Sequence, residues 1–332
     1  MVNFALFGAG RIGQMHADNL AKNPDAALLY VYDVHGPAAE AAAAKHGAKV
    51  APNVEAVLAD PAVEAVLIAS STNTHVDLMT QAAQAGKAVF CEKPIDLDIA
   101  RVDRCWAQIQ SCGVPIQIGF NRRYDPTHKA LRAAVQAGEV GRVEQVVITS
   151  RDPSPPPLDY VKVSGGLFRD MMIHDFDLAR FLLAEDPVEI TAMGSVLVDP
   201  AVGELDDVDS AMVLMKTESG VLCHVNCSRR AVYGYDQRAE VFGSKGMVIS
   251  TNHTATAVER HGAGATAARE PLLNFFIERY EAAYVGEIND FIETVRSGRP
   301  PAVGFEDGRR ALILADAALE SFKTGKTVQV VY

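Results

Sequence analysis

The sequence predicts an α/β chain in two parts: an N-terminal doubly wound parallel sheet, and a C-terminal α+β part carrying a large, mainly antiparallel open sheet. Three observations support this. Up to Gly119, short and continuously apolar runs alternate with helical patterns, as strands covered on both faces by crossover helices do. Beyond Gly119 the apolar runs lengthen and alternate residue by residue, as strands with one wet face do. Two long helical patterns, 275–296 and 306–323, then follow. With 332 residues the chain is long enough for two cores, and the expected division is 1–120 and 121–332.

In order, "NFALFGAG" reads as a strand and turn and "RIGQMHADNLAKN" as a helix. "ALLYVYD" is a second strand and "GPAAEAAAAKHG" an Ala-rich helix. "AVEAVLIAS" is a strand, followed by the helix "HVDLMTQAAQAG", which ends at glycine. "AVFCEKP" and "VPIQIGF" are further buried strands. Helices are expected at 126–137 and 167–183. The alternating strands are "VEQVVITSR", "VEITAMGSVLV", "SAMVLMKT", "GVLCHVNCSRR" and "QRAEVFGS", joined by turn signals such as "TESG" and "GSKG". In the fourth of these, Val221, Cys223, Val225 and Cys227 share one face, and His224, Asn226 and Ser228 the other. A large sheet with one uncovered face is a candidate surface for oligomerisation.

Composition narrows the function. The net charge of -11 argues against nucleic acid or an anionic membrane as partner, since both need clustered Lys and Arg. Arg229-Arg230 is too short to count as a basic patch. No apolar run approaches bilayer length. "MVNFALFGAGRIG" lacks a basic n-region and reads as a strand entering a turn. Five cysteines with no CxxC pair read as free thiols in a reducing cytoplasm.

"GAGRIG" is a GxGxxG string directly after a strand and opening a helix: Gly8, Gly10 and Gly13, with Arg11 and Ile12 between them. Glycines there permit a tight turn and let a pyrophosphate approach the helix N-terminus, where free N–H groups and the dipole favour anions. The second strand ends in Asp33, at the fingerprint's acidic position. Its carboxylate suits ribose hydroxyls and repels a 2′-phosphate, so the expected cofactor is NAD. "SSTNTH" supplies Ser70, Thr72, Asn73 and His75 at a strand's C-terminal end. They are candidates for cofactor contact; the competing reading is a polar loop in which Asn73 or Thr74 only caps a helix. "CEKP" places Glu92 and Lys93 at the same edge of the sheet. Lys93 is either a surface lysine or an ammonium that holds a substrate hydroxyl.

"GGLFRDMMIHDFDLARF" sets Asp170 and His174 four residues apart, about one helical turn, so both would point the same way. They form a proton-handling pair, part of a metal site, or two polar residues on a wet face. Asp175 and Asp177 lie near enough to add ligands. No HExxH or Cys/His cluster completes a set, so no metal is expected.

"GAGRIG", "EKP" and the GG-x-x-x-D-x-x-x-H-D segment together resemble the glucose-fructose oxidoreductase / inositol dehydrogenase / rhizopine catabolism protein (Gfo/Idh/MocA) family, over essentially the whole chain. "SRDPSPPPLDYVKVSGGLFRDMMIHDFDLARF" and "SRRAVYGYDQRAEVFGSKGM" resemble its inositol-oxidising bacterial members. The resemblance implies a Rossmann domain, a catalytic set of Lys93, Asp170 and His174, and a cytoplasmic homotetramer. It further implies NAD-dependent oxidation of myo-inositol to 2-keto-myo-inositol. In it the histidine resembles the acid/base, the aspartate tunes it, and the lysine binds the reacting hydroxyl. Alternatives are a dehydrogenase of another polyol or sugar, and a non-catalytic dinucleotide-binding sensor.

A cyclic polyol needs several donors and acceptors around it. Arg123, Asp152 and Tyr235 are the substrate candidates beside Lys93, Asp170 and His174. Tyr233 is an alternative to Tyr235. Tyr280 shares a helical stripe with Phe276 and Tyr284 and reads better as packing. His224 reads as a sheet-face residue. Asp206, Asp207 and Asp209 read as a solvated loop.

Overall fold

The computed structural model describes residues 1–332. They form two compact units: 1–121 with 283–310, and 122–282 with 311–332. The expected division at 120 assigns 283–310 to the second part, whereas the chain returns them to the first. The cause is an apolar sheet face that needs cover. Ile288, Phe291 and Ile292, on the helix Glu281–Ser297, pack into the same core as Phe4, Leu6 and Phe90. The Phe291 ring lies 6.0 Å from that of Phe4 and 5.7 Å from that of Phe90.

The first unit carries six parallel strands: β1 (Val2–Phe7), β2 (Ala26–Tyr32), β3 (Lys49–Val50), β4 (Ala65–Ile68), β5 (Ala88–Glu92) and β6 (Ile116–Gly119). Their order is β3-β2-β1-β4-β5-β6, and every pairing is parallel. All four residues of β4 and the first four of β5 are buried, as continuous apolar runs require of strands covered on both faces. The strand order reverses between β1 and β4. In open α/β sheets the crevice at such a switch point, outside the strands' C-terminal ends, is where ligands bind.

The second unit carries β7 (Val143–Arg151), β8 (Pro187–Ser195), β9 (Ser210–Thr217), β10 (Leu222–Ser228), β11 (Asp236–Gly243) and β12 (Gly246–Ser250). A hairpin, β13 (Arg260–Gly262) with β14 (Ala265–Ala268), and a short β15 (Val328–Gln329) complete it. The large sheet runs β12-β11-β7-β10-β9-β8-β15. Only β7 and β10 pair in parallel; the other neighbours are antiparallel. Along β10, Cys223, Val225 and Cys227 are buried while His224, Asn226 and Ser228 are half-exposed. The inner face packs on Phe176, Leu178 and Leu182 of the helix Ile173–Leu183. The outer face leaves Met193, Met212, Leu214, Phe242, Met247 and Ile249 exposed. No helix is long and apolar enough to cross a membrane.

Two local expectations are corrected. The expected helix 167–183 is two helices, Gly166–Asp170 and Ile173–Leu183. Between them the backbone tightens: the amides of His174 and Asp175 reach the carbonyls of Met171 and Met172, three residues back. The acidic loop is not simply solvated. Asp209 is fully buried and accepts bonds from the amides of Leu197, Val198 and Asp199. Burial pushes its carboxyl up, but those three bonds and the Ser210 hydroxyl outweigh it and hold the pKa below the usual range. Asp207 Oδ1 accepts from Leu167 N at 2.9 Å, tying down the start of the helix that ends in Asp170. Gly166 is required at that contact: its φ is +81°, and a Cβ there would lie 2.7 Å from Asp207 Oδ1.

Candidate active site

In the first unit the GxGxxG turn joins β1 to the helix Arg11–Lys22, whose first turn has no side-chain cap. Each glycine has a separate cause. A Cβ on Gly8, at φ +97°, would lie 2.5 Å from Ser70 N; one on Gly13 would lie 1.9 Å from Gly8 O. Gly10 has open space where its Cβ would be, the approach a pyrophosphate needs. Arg11 is exposed beside it and Ile12 half-buried. Asp33 is fixed by two backbone amides: Ala9 N donates to Oδ2 at 2.6 Å and His35 N to Oδ1 at 2.7 Å. The acidic residue is therefore locked against the glycine turn. Uncapped amides, an open Gly10 and a fixed carboxylate together fit an adenine dinucleotide.

At the neighbouring strand ends, Thr72–Thr74 forms a 3₁₀ turn before the helix His75–Gln84. Neither Asn73 nor Thr74 makes a side-chain cap. The Thr74 hydroxyl donates to Ser71 O, and Ser70 Oγ lies 2.7 Å from Thr74 Oγ1. Thr72 is half-buried and Asn73 exposed. His75 is interior. Its Nδ1 lies 2.8 Å from Pro94 O and its Nε2 3.1 Å from Ser70 O, so the ring ties this loop to the one after β5. Burial pushes its pKa down, against the two carbonyls. Glu92 also turns inward, its Oε1 2.7 Å from His16 Nε2. Lys93 is half-buried and precedes a cis proline, Pro94.

In the second unit Asp170 closes the helix Gly166–Asp170, and His174 lies in the first turn of the next. His174 is half-buried and Asp170 buried. Both oxygens of Asp170 are held. The Tyr160 hydroxyl donates to Oδ1 at 2.9 Å, and Arg229 donates to Oδ2 at 3.2 Å. Arg229 is 2 % exposed. Asp152 follows the end of β7, its amide bonded to Ser228 O. Burial pushes its carboxyl up to about 7; Arg229 opposes the rise and Asp170 adds to it.

Other expected site residues have partners of their own. Arg123 makes a two-point pair with Asp177, Nε to Oδ2 at 2.8 Å and a terminal nitrogen to Oδ1 at 2.6 Å, and lies over the Phe181 ring. Arg122 pairs with Asp175 and reaches Ser150 Oγ at 3.3 Å. The two aspartates that could have joined a metal set therefore each hold an arginine. Tyr235 is buried, its ring 6.2 Å from Phe275 and 6.0 Å from Tyr280. Tyr233 is exposed and donates to Asp236. Nothing in the sequence pattern marks Tyr160, Arg229 and Asp207 as supports of the Asp170 segment. The only local cue was the Arg229-Arg230 pair itself.

A parallel sheet with a fixed acidic residue at its glycine turn in the first unit, and a half-buried histidine four residues after an anchored aspartate in the second, are the features of a dinucleotide-dependent oxidoreductase. Residues 2–120 match the oxidoreductase family, NAD-binding Rossmann fold, and 128–249 match the GFO/IDH/MocA C-terminal domain. The chain belongs to the GFO/IDH/MocA family. It is 48% identical over 330 residues to an inositol 2-dehydrogenase of Rhizobium meliloti, covering 99% of each protein. It resembles the crystal structure of a myo-inositol dehydrogenase from Corynebacterium glutamicum, with a TM-score of 0.96 and 44% identity over 100% of this chain and 99% of that one. It also resembles a myo-inositol dehydrogenase from Lactobacillus casei in complex with NAD(H) and myo-inositol. There the TM-score is 0.90 and the identity 27%, over 100% of this chain and 97% of that one.

Proposed function

We infer that this protein is an NAD-dependent inositol 2-dehydrogenase that oxidises myo-inositol to 2-keto-myo-inositol. The observation that carries this is end-to-end similarity, at 48% identity, to an inositol 2-dehydrogenase. The chain's own residues supply the parts that the chemistry needs. NAD, when bound, accepts the hydride from the alcohol carbon.

The glycine turn receives the pyrophosphate, and Asp33 accepts from the ribose hydroxyls. Ser70, Thr72 and Asn73 extend the cofactor-binding edge, while His75 and Glu92 shape it from inside. Lys93 donates to the reacting hydroxyl and stabilises its developing negative charge. His174 takes the hydroxyl proton. Asp170, held by Arg229 and Tyr160, keeps a negative charge in the segment that carries the histidine and favours the imidazolium. Asp152 contacts the polyol, donating when neutral and accepting when ionised. Arg123 and Tyr235 act from behind, by ordering helices and packing. Residues 1–120 serve the cofactor and most of 121–332 the substrate. The exposed outer face of the large sheet meets further copies in a homo-oligomer, four by family resemblance. With its free cysteines the enzyme resides in the cytoplasm.

The experiment is isotope transfer. Myo-inositol deuterated at C2, incubated with NAD and the enzyme, should give reduced cofactor carrying one deuterium and a slower initial rate. Reduced cofactor without label would exclude oxidation at C2. No reduction with any polyol, alongside tight NAD binding, would favour the sensor.

A further inference from the structure

Inside the first unit, a ring nitrogen of His16 and side-chain oxygens of Glu92 and Glu287 all lie within 4.8 Å of one another. They come from three elements: the helix after the glycine turn, the end of β5, and the helix Glu281–Ser297. His16 Nε2 lies 2.7 Å from Glu92 Oε1 and 3.9 Å from Glu287 Oε1. The Glu287 side chain is wholly buried, and neither of its carboxylate oxygens has a hydrogen-bond partner. The surroundings are apolar: the His16 ring stands edge-on to Phe90 at 5.3 Å and to Tyr284 at 5.9 Å. Gln117, on β6, spends its side-chain amide on the Glu287 backbone carbonyl.

Two ionised carboxylates this close, in an apolar interior, carry a large electrostatic cost. The His16–Glu92 contact gives one Glu92 oxygen a partner and leaves both oxygens of Glu287 without one. We propose that Glu287 is a positioning residue kept as a neutral carboxylic acid, so that Glu92 is the one ionised carboxylate, held by His16, and the strand end bearing Lys93 is fixed. The titratable groups beside Glu287 are His16 and Glu92; Tyr284, on the same helix, packs on the His16 ring. Burial first, and the Glu92 charge second, push the Glu287 pKa well above the usual carboxylate range. The proposal rests on Lys93 being the hydroxyl-binding group, but the charge state of Glu287 can be read without any substrate.

The sign follows from linkage. A carboxyl whose folded pKa is raised contributes stability that is complete below its unfolded pKa, about 4.3, and is lost as pH rises through the folded value. Glu287→Gln keeps the shape and the neutral charge and removes that loss. Its melting temperature should therefore gain on the parent protein steadily as pH rises above the unfolded value of about 4.3. At about pH 7 its kcat should stay within about twofold, while Glu287→Ala should lose about tenfold or more in kcat with NAD affinity retained. The NAD titration and the melting series do not depend on myo-inositol being the substrate, so their failure is separable from failure of the functional reading. A gap between Glu287→Gln and the parent that does not change with pH would overturn the proposal. So would a Glu287→Gln loss of activity equal to that of Glu287→Ala, or one divalent metal ion per purified chain balancing the charge in place of the proton.

Discussion

Arg229 donates to Oδ2 of Asp170 at 3.2 Å from a position 59 residues further along the chain. Asp170 is thereby tied to the end of β10 as well as to its own helix. Its second oxygen is held by Tyr160, whose ring is half-exposed. These two donors orient the aspartate, which helical spacing alone does not do.

Removing the buried donor should therefore act on turnover. Arg229→Met removes the buried guanidinium that donates to Asp170 Oδ2 and is expected to cut kcat by about 10–100-fold with NAD affinity unchanged. It should also cost about 3–5 kcal/mol of stability, because a buried carboxylate loses the guanidinium paired with it. Tyr160→Phe removes a more exposed donor and should cost less than tenfold in kcat. Kinetics, an NAD titration and a melting curve on each variant check this. A loss of stability without a loss of kcat would reduce Arg229 to a structural role.

Asp152 should impose a pH dependence near neutrality. Its carboxyl is pushed up to about 7, chiefly by burial, from an unfolded value of about 3.9. Its stability contribution is complete below the unfolded value and lost as pH rises through about 7. In the same window the group changes from donor to acceptor toward the polyol. Asp152→Asn should flatten both the melting temperature and log KM for myo-inositol across that range. An unchanged pH profile in the variant would exclude Asp152 as the titrating group.

The Arg123–Asp177 pair separates a structural arginine from a substrate arginine. Both side chains are largely buried, at 12% and 1% exposure, and the pairing is two-point, the strong geometry for guanidinium and carboxylate. Asp177→Ala is expected to destabilise by about 3–5 kcal/mol. Glu306→Ala, which breaks the more exposed bond to Arg310, should cost about 0–1 kcal/mol. Urea melts of the two variants check the contrast. If Arg123→Ala raises KM for the polyol with no loss of stability, Arg123 is a substrate residue after all.

Much of this was legible in the chain. Continuous apolar runs against alternating ones separate the parallel sheet from the antiparallel one, because burial on two faces or one writes a different pattern. The glycines at 8, 10 and 13 and Asp33 were legible because backbone geometry and cofactor chemistry leave few alternatives there. What was not legible depends on contacts distant in sequence. Periodicity shows that the helix Glu281–Ser297 has an apolar face, but not that the face covers the first sheet. Adjacent arginines at 122 and 123 do not reveal that each takes a different aspartate. His75 reads as a candidate cofactor contact at the start of a helix, yet its ring is an interior strut between two loops. The break after Asp170 is not legible either, because Met171 and Met172 are good helix formers.

The most direct measurement is the initial rate of nicotinamide reduction with myo-inositol, scyllo-inositol, D-chiro-inositol, glucose and xylose, each with NAD and with NADP, for the parent protein and for His174→Ala. The account predicts the highest kcat/KM for myo-inositol with NAD, a weak rate with NADP because Asp33 repels the 2′-phosphate, and a fall of about 100-fold or more in His174→Ala with NAD binding retained. Equal rates in the parent and His174→Ala, or a preference for a sugar over every inositol, would contradict it.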